Sequence, residues 1–201
     1  DSVGVAIHTP AGTLVHTGDF KIDCTPAAGT ITDLTRFAEL GKEGVLALMA
    51  DSTNAERPGY TKTEAKVQES FERLFVRAQN RRIIIATFAS NINRIQQIVN
   101  CAYANNRKVA FSGRSMLNYM QVATELGYVD VPQGVIIDID SLNQYTPEQV
   151  VLVTTGSQGE PMSALSRMVY MYKLHIHTAH FYNIACIYNI KPSRRHKVML
   201  L

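Results

Sequence analysis

Two carboxylates stand where apolar runs end. Asp19 falls in "VHTGDF", residues 15–20, and Asp51 follows the apolar stretch of "GVLALMADSTN", residues 44–54. An acid at a strand exit can cap its own turn, orient a water molecule or hold a metal ion. As a metal ligand, Asp19 needs histidines or further carboxylates from elsewhere, because one carboxylate does not hold a catalytic zinc or manganese ion. His16 lies three residues away, an offset that puts it on the opposite face of a strand. His8 reads equally well as a solvated strand residue. A second group of polar residues shares the same placement: Ser90-Asn91, Gly113-Arg114-Ser115, and the loop from Thr154 to Gly159 that contains Ser157. Each follows an apolar run and leads into a helix, whose free N–H groups and partial positive charge attract anions. Arg94 and Arg114 add guanidinium groups able to grip phosphate oxygens in pairs. The plainer alternative is that Ser and Asn cap helices and the arginines pair with surface acids. A mononucleotide, a dinucleotide and an RNA backbone remain equivalent ligands at this point, since neither G-x-G-x-x-G nor G-x-x-x-x-G-K-[ST] occurs.

The elements that position these residues follow from periodicity. "GVAIHT" and "TLVHTG" alternate in the strand manner around Pro10-Ala11-Gly12, which predicts a β-hairpin. Residues 44–54 have the pattern of a strand buried on both faces. Thr61-x-x-Glu64 forms a capping box ahead of Val67, Phe71, Leu74, Phe75 and Ala78, which recur at helical spacing. Three strand, polar loop and helix units come next: "RIIIATFA", "KVAFSG" and "QVVLVTTG", the helix of the third placing Pro161 near its first turn. Such repetition implies an α/β fold with a parallel sheet flanked by helices, and in an open sheet of this kind the three loops share one edge.

The composition, 46% hydrophobic over 201 residues, supports a sizeable core in one or two domains. No apolar run is long enough to span a membrane and no charged-then-apolar leader opens the chain, so a cytoplasmic protein is expected. Cys24, Cys101 and Cys186 are odd in number and widely spaced, which reads as free thiols in a reducing compartment. The chain starts at Asp1, partway into an expected strand, and this reads as a cut. Of the 20 Lys and Arg residues, five lie in residues 169–201, where no Asp or Glu occurs; the rest of the chain carries 15 basic and 17 acidic residues, net −2. That tail also holds four of the six histidines, and the shift in composition marks a boundary. Its "HIHTAH", His175 to His180, resembles the H-x-H-x-D-H motif of metallo-β-lactamase-fold hydrolases with Ala179 where the aspartate belongs. In that fold the motif precedes the strand carrying the Asp19-like ligand, so the match is treated as chance, with adventitious metal binding the most it offers.

Taken jointly, "HTGDFKID", "ADSTNAERPGYTKTE", "IIIATFASNINRIQQI", "GRSM" and "VVLVTTGSQGEPMSALSRM" resemble the ribonuclease J family, from Asp1 to about Met168. The resemblance implies part of a metallo-β-lactamase αββα core over residues 1–60 and part of a β-CASP domain over 61–168, with residues 169–201 an anomalous tail lacking a defined place in the fold and exposing apolar surface. It implies a nuclease with two divalent ions, zinc or manganese, that cuts RNA internally and from a 5′ end. Asp19 would bridge the metals and Asp51 would support catalysis beside them. Ser90, Asn91, Arg94, Arg114 and Ser115 would face RNA, in agreement with the phosphate-binding edge read above, to which Gly113 and Ser157 also belong. The H-x-H-x-D-H motif and the next metal histidine would lie before Asp1, and the 5′-phosphate pocket and the final metal histidine beyond the β-CASP segment, leaving this chain one metal ligand and no expected activity alone; homo-oligomerisation would use regions of the parent outside it. Two other readings stand beside this one: a non-catalytic RNA- or phosphate-binding module, and a transferase-type nucleotide-binding domain that would take a mononucleotide in preference to RNA.

Overall fold

The computed structural model describes residues 3–26, 29, 31–53, 55–157, 163–166, 179–183 and 199–200, the last two stretches as backbone only. The chain divides into two compact units, Asp1–Val67 and Gln68–Leu201.

In the first unit, β1 (Val5–Thr9) and β2 (Gly12–His16) form the expected hairpin, with Thr9 opposite Gly12, and β2 pairs in parallel with β3 (Ala47–Met49). Gly12 has φ +140, and a Cβ there would lie 2.9 Å from that of Leu46, so both backbone and space call for glycine. Between β2 and β3 lies α1 (Leu34–Glu43), a helix that periodicity had not marked out; Asp33 caps it by accepting from the Arg36 N–H at 2.9 Å. Val15 and Leu40 are buried, but β3 is exposed throughout, with Leu48 at 62%. This corrects the expected two-faced burial of residues 44–54. Apolarity makes a strand suited to burial, whereas covering layers must come from elsewhere in the fold.

A second correction concerns α2 (Glu64–Arg77). It starts at Glu64 rather than behind Thr61: the Thr63 hydroxyl accepts from the Ala65 N–H at 3.0 Å, and the Asp23 carboxylate accepts from the Glu64 N–H at 2.8 Å. Lys21 Nζ also meets Glu64 Oε1 at 2.8 Å. A cap supplied from 41 residues upstream takes the place of the local capping box. These ties hold the first turn of α2 in the first unit, and the division between units falls inside the helix.

Among its described residues the second unit is built on a parallel sheet of six strands in the order β6-β5-β7-β4-β8-β9. Its centre comprises β4 (Arg82–Ala86), β5 (Lys108–Ser112) and β7 (Val150–Thr154), and α3 (Ile92–Ala104) and α4 (Arg114–Glu125) follow β4 and β5. The short β6 is Ile136–Ile137. Ile84, Ala110 and Leu152, aligned across three strands, are covered by Ile137, Ile139, Leu142 and Leu165. Their alternate neighbours Ile83, Ile85, Val109, Phe111, Val151 and Val153 point to the other face and are likewise buried. Continuous β-branched runs form these strands because both faces are covered. β8 (Ala179–Asn183) pairs with β4 and β9 (Met199–Leu200) pairs with β8. After Met168, β8 and β9 thus join the sheet by backbone pairing, which can use any sequence whose N–H and C=O groups meet an open edge. Pro161 and His175 to Thr178 lie outside the described residues.

Candidate functional site

Asp19 and Asp51 belong to the first unit. Because β2 and β3 run parallel with His16 opposite Met49, the two acids leave their strands at the same edge. The Thr17 N–H donates to the Met49 carbonyl at 3.0 Å, and the Asp51 N–H donates to Thr17 Oγ1 at 3.1 Å. Asp19 is exposed and Asp51 half-buried. Thr53 donates to Asp51 Oδ1 through its hydroxyl at 2.6 Å and its N–H at 3.0 Å. These bonds, the hydroxyl first, hold the Asp51 carboxyl below its ordinary pKa against a smaller opposing effect of burial. At neutral pH it is a carboxylate, fit to accept hydrogen bonds or support a cation and unfit to serve as a general acid.

His16 does not join the acids as a ligand; its Nδ1 accepts from the Gly18 N–H at 3.0 Å and so helps form the turn before Asp19. His8 Nδ1 lies 3.1 Å from Thr13 Oγ1 across the hairpin. Among the described residues no three His, Cys, Asp or Glu side chains converge. A catalytic zinc takes three protein ligands, so the described donors do not by themselves complete the two-metal centre that the resemblance implies. Cys24 and Cys101 are free thiols, and burial pushes the Cys101 thiol up to about 11.

The remaining candidates lie in the second unit. Thr154 is level with Ala86 on one side and Ser112 on the other, so the loops after β4, β7 and β5 open side by side. From β5 the chain goes on to β6 on one side, and the strand that follows β7, β8, lies on the other, so the carboxyl ends of β5 and β7 form a topological switch point, the place where open α/β sheets bind ligands. Gly113 lines it with φ +107, and a Cβ there would approach Ala164 Cβ at 3.2 Å and Thr155 Oγ1 at 3.4 Å. The three loops predicted to share an edge do so.

Their side chains differ in what they have left to offer. Asn91 is spent as the α3 cap, its Oδ1 accepting from the Arg94 N–H at 3.1 Å, and Arg94 is half-buried. Gly113 heads α4 without a side-chain cap, leaving first-turn N–H groups to other acceptors, and Arg114 and Ser115 beside it are exposed. Ser90 is exposed, whereas Ser157 is buried; Gln158 and Gly159 lie outside the described residues.

Two residues escaped sequence reasoning. Phe88, 39% exposed in the loop after β4, offers an aromatic face on the same edge as Ser90. An aromatic side chain among small and polar residues in "ATFASN" is the signal that marks it. Thr17 joins two loops 34 residues apart, and no local pattern reports such a bond.

Comparison with known proteins bears on both units. The family model described as "Ribonuclease J, beta-CASP domain" matches residues 80–192, over half of the chain. The chain is 51% identical to ribonuclease J of Corynebacterium glutamicum and 47% identical to ribonuclease J2 of Bacillus subtilis, each over 168 residues, covering 84% of this chain and 23% and 30% of those proteins. It is 46% identical to ribonuclease J of Thermus thermophilus over 170 residues, 85% of this chain and 29% of that one. The chain thus spans about a quarter to a third of the length of the curated relatives it matches.

Proposed function

This chain belongs to the ribonuclease J family through its β-CASP domain, and on that premise we propose that it is a segment of a metal-dependent ribonuclease acting in RNA processing and decay in the cytoplasm. The observation that carries this reading is the shared edge of β4, β7 and β5, where the uncapped start of α4 stands beside exposed Arg114 and Ser115. Backbone N–H groups and a guanidinium suit a phosphodiester backbone and need no metal. Internal cleavage and 5′-to-3′ degradation belong to the parent protein in this reading. Asp19 would contribute to a zinc or manganese centre, and Asp51, held ionised by Thr53, would support it; further ligands are required beyond these two.

The test is binding of a labelled single-stranded RNA across a salt series in the presence of EDTA. Arg114→Ala is expected to weaken binding and to reduce the slope of log affinity against log salt by about one, because one phosphate contact and its counterion release are lost. Arg94→Ala acts in the same direction. Slopes unchanged in both variants would remove this edge from RNA binding. EDTA itself is expected to leave the affinity of the chain unaltered.

The lack of a three-donor group among the described residues favours a second reading, a non-catalytic RNA- or phosphate-binding module. RNA cleavage by the chain with added manganese, abolished by Asp19→Asn, would defeat that second reading.

A further inference from the structure

We infer that Thr17 is a positioning residue that fixes Asp19 relative to Asp51. The inference rests on the reading above in so far as it takes the two acids to work together. The Thr17 hydroxyl accepts from the Asp51 N–H at 3.1 Å and donates to the Gly18 carbonyl at 2.8 Å. Its own N–H donates to the Met49 carbonyl at 3.0 Å, two residues before Asp51. One side chain therefore holds the peptide that leads into Asp19 and the amide of Asp51 at once.

The turn is closed from its other side as well. Gly18 has φ +62 and donates its N–H to His16 Nδ1 at 3.0 Å. With His16, Thr17 and Gly18 all bonded, the direction in which the chain leaves for Asp19 is set by the β3 exit as much as by β2. Asp51's own carboxylate is held separately, by Thr53. Thr17 thus governs backbone placement, through the Asp51 amide and the Gly18 and Met49 carbonyls. Valine matches threonine in shape but can neither accept from Asp51 nor donate to Gly18, while serine can do both. Removing the hydroxyl leaves the Asp51 N–H and the Gly18 carbonyl to water, and the two loops lose this side-chain tie while the Thr17 N–H keeps its bond to the Met49 carbonyl.

The experiment uses the full chain, isotopically labelled, at a fixed neutral pH without RNA or metal, so it is independent of whether the RNA-binding reading survives. NMR signals of the Asp19 amide and carboxyl carbon are followed as Asp51→Asn is introduced into the parent, Thr17→Ser and Thr17→Val backgrounds. The expected result is a displacement of the Asp19 signals in the parent and in Thr17→Ser, lost in Thr17→Val. Equal displacement in Thr17→Val and the parent would overturn the inference, and so would silence of Asp19 in the parent. Should Thr17→Val lose the dispersed signals of β1–β3, the parent and serine backgrounds decide: slow hydrogen exchange of the Asp51 amide in both, with Asp19 responding in both, sustains the inference. Fast exchange of that amide in the parent overturns it.

Discussion

At the scale of single residues, what a side chain has already bonded to decides what it has left for a ligand. Asn91 and Ser115 are both small polar residues near helix starts, yet Asn91 is consumed in capping α3 while Ser115 is exposed beside a helix start with no side-chain cap. Phe88 is the complementary case, an exposed aromatic face on an edge of polar groups. Phe88→Ala is expected to weaken binding of single-stranded RNA by about 1–3 kcal/mol, the value of one base stacked on an aromatic ring. The salt slope should stay unchanged, which separates loss of stacking from loss of a phosphate contact in the same titration. Asp23 offers a test by pH. Donation from the Glu64 N–H, opposed by burial and assisted by the Thr25 N–H, Lys21 and Thr63, holds its carboxyl below 3.8. A folded value below the unfolded one means that its stabilisation is present above pH 3.8 and is lost as pH falls through the folded value. Asp23→Ala should therefore melt at a lower temperature than the parent at neutral pH, with the gap closing in acid; a gap that persists unchanged at pH 3 would refute this account.

At the scale of elements, local pattern and tertiary contact divided the work unevenly. The strands β4, β5 and β7 were legible because unbroken β-branched runs between polar loops have few other outcomes in water. The start of α2 was not, since its N–H groups are satisfied by Asp23 and Thr63 instead of the Thr61 box. Periodicity also places Gln97 on a helix without revealing that it is buried, 5% exposed, with neither amide atom hydrogen-bonded among the described residues. Gln97→Met keeps the volume and removes two unsatisfied polar atoms, so urea denaturation is expected to show a gain of about 1–3 kcal/mol. Gly156 works in the opposite sense. It has φ +114, and a Cβ would lie 2.8 Å from Ser163 Cβ and 2.9 Å from Leu165 Cβ, so Gly156→Ala should destabilise by about 1–3 kcal/mol in the same assay.

At the scale of the whole chain, the two units differ in how much apolar surface they remove from water. Val15 and Leu40 are the buried hydrophobic residues among those described in the first unit, whereas in the second both faces of β4, β5 and β7 are buried. Amides of β4, β5 and β7 are thus expected to exchange with solvent far more slowly than those of β1–β3, as opening free energy follows buried contact; equal protection would contradict the burial difference. No helix among the described residues is long and apolar enough to cross a membrane. By itself the sequence determined the hairpin, the alternation of parallel strands and helices, the common edge of the three loops and the family, because these follow from period, turn residues and motifs that survive without any knowledge of contacts. Only the tertiary structure decided that residues 44–54 leave a strand exposed, that α2 is capped by Asp23, that Asn91 and Ser157 are less available than Ser115 and Arg114, and that Thr17 ties Asp51 to the Asp19 turn. Each of these depends on which distant group reaches a given N–H, hydroxyl or apolar face first, and sequence spacing carries no record of that competition.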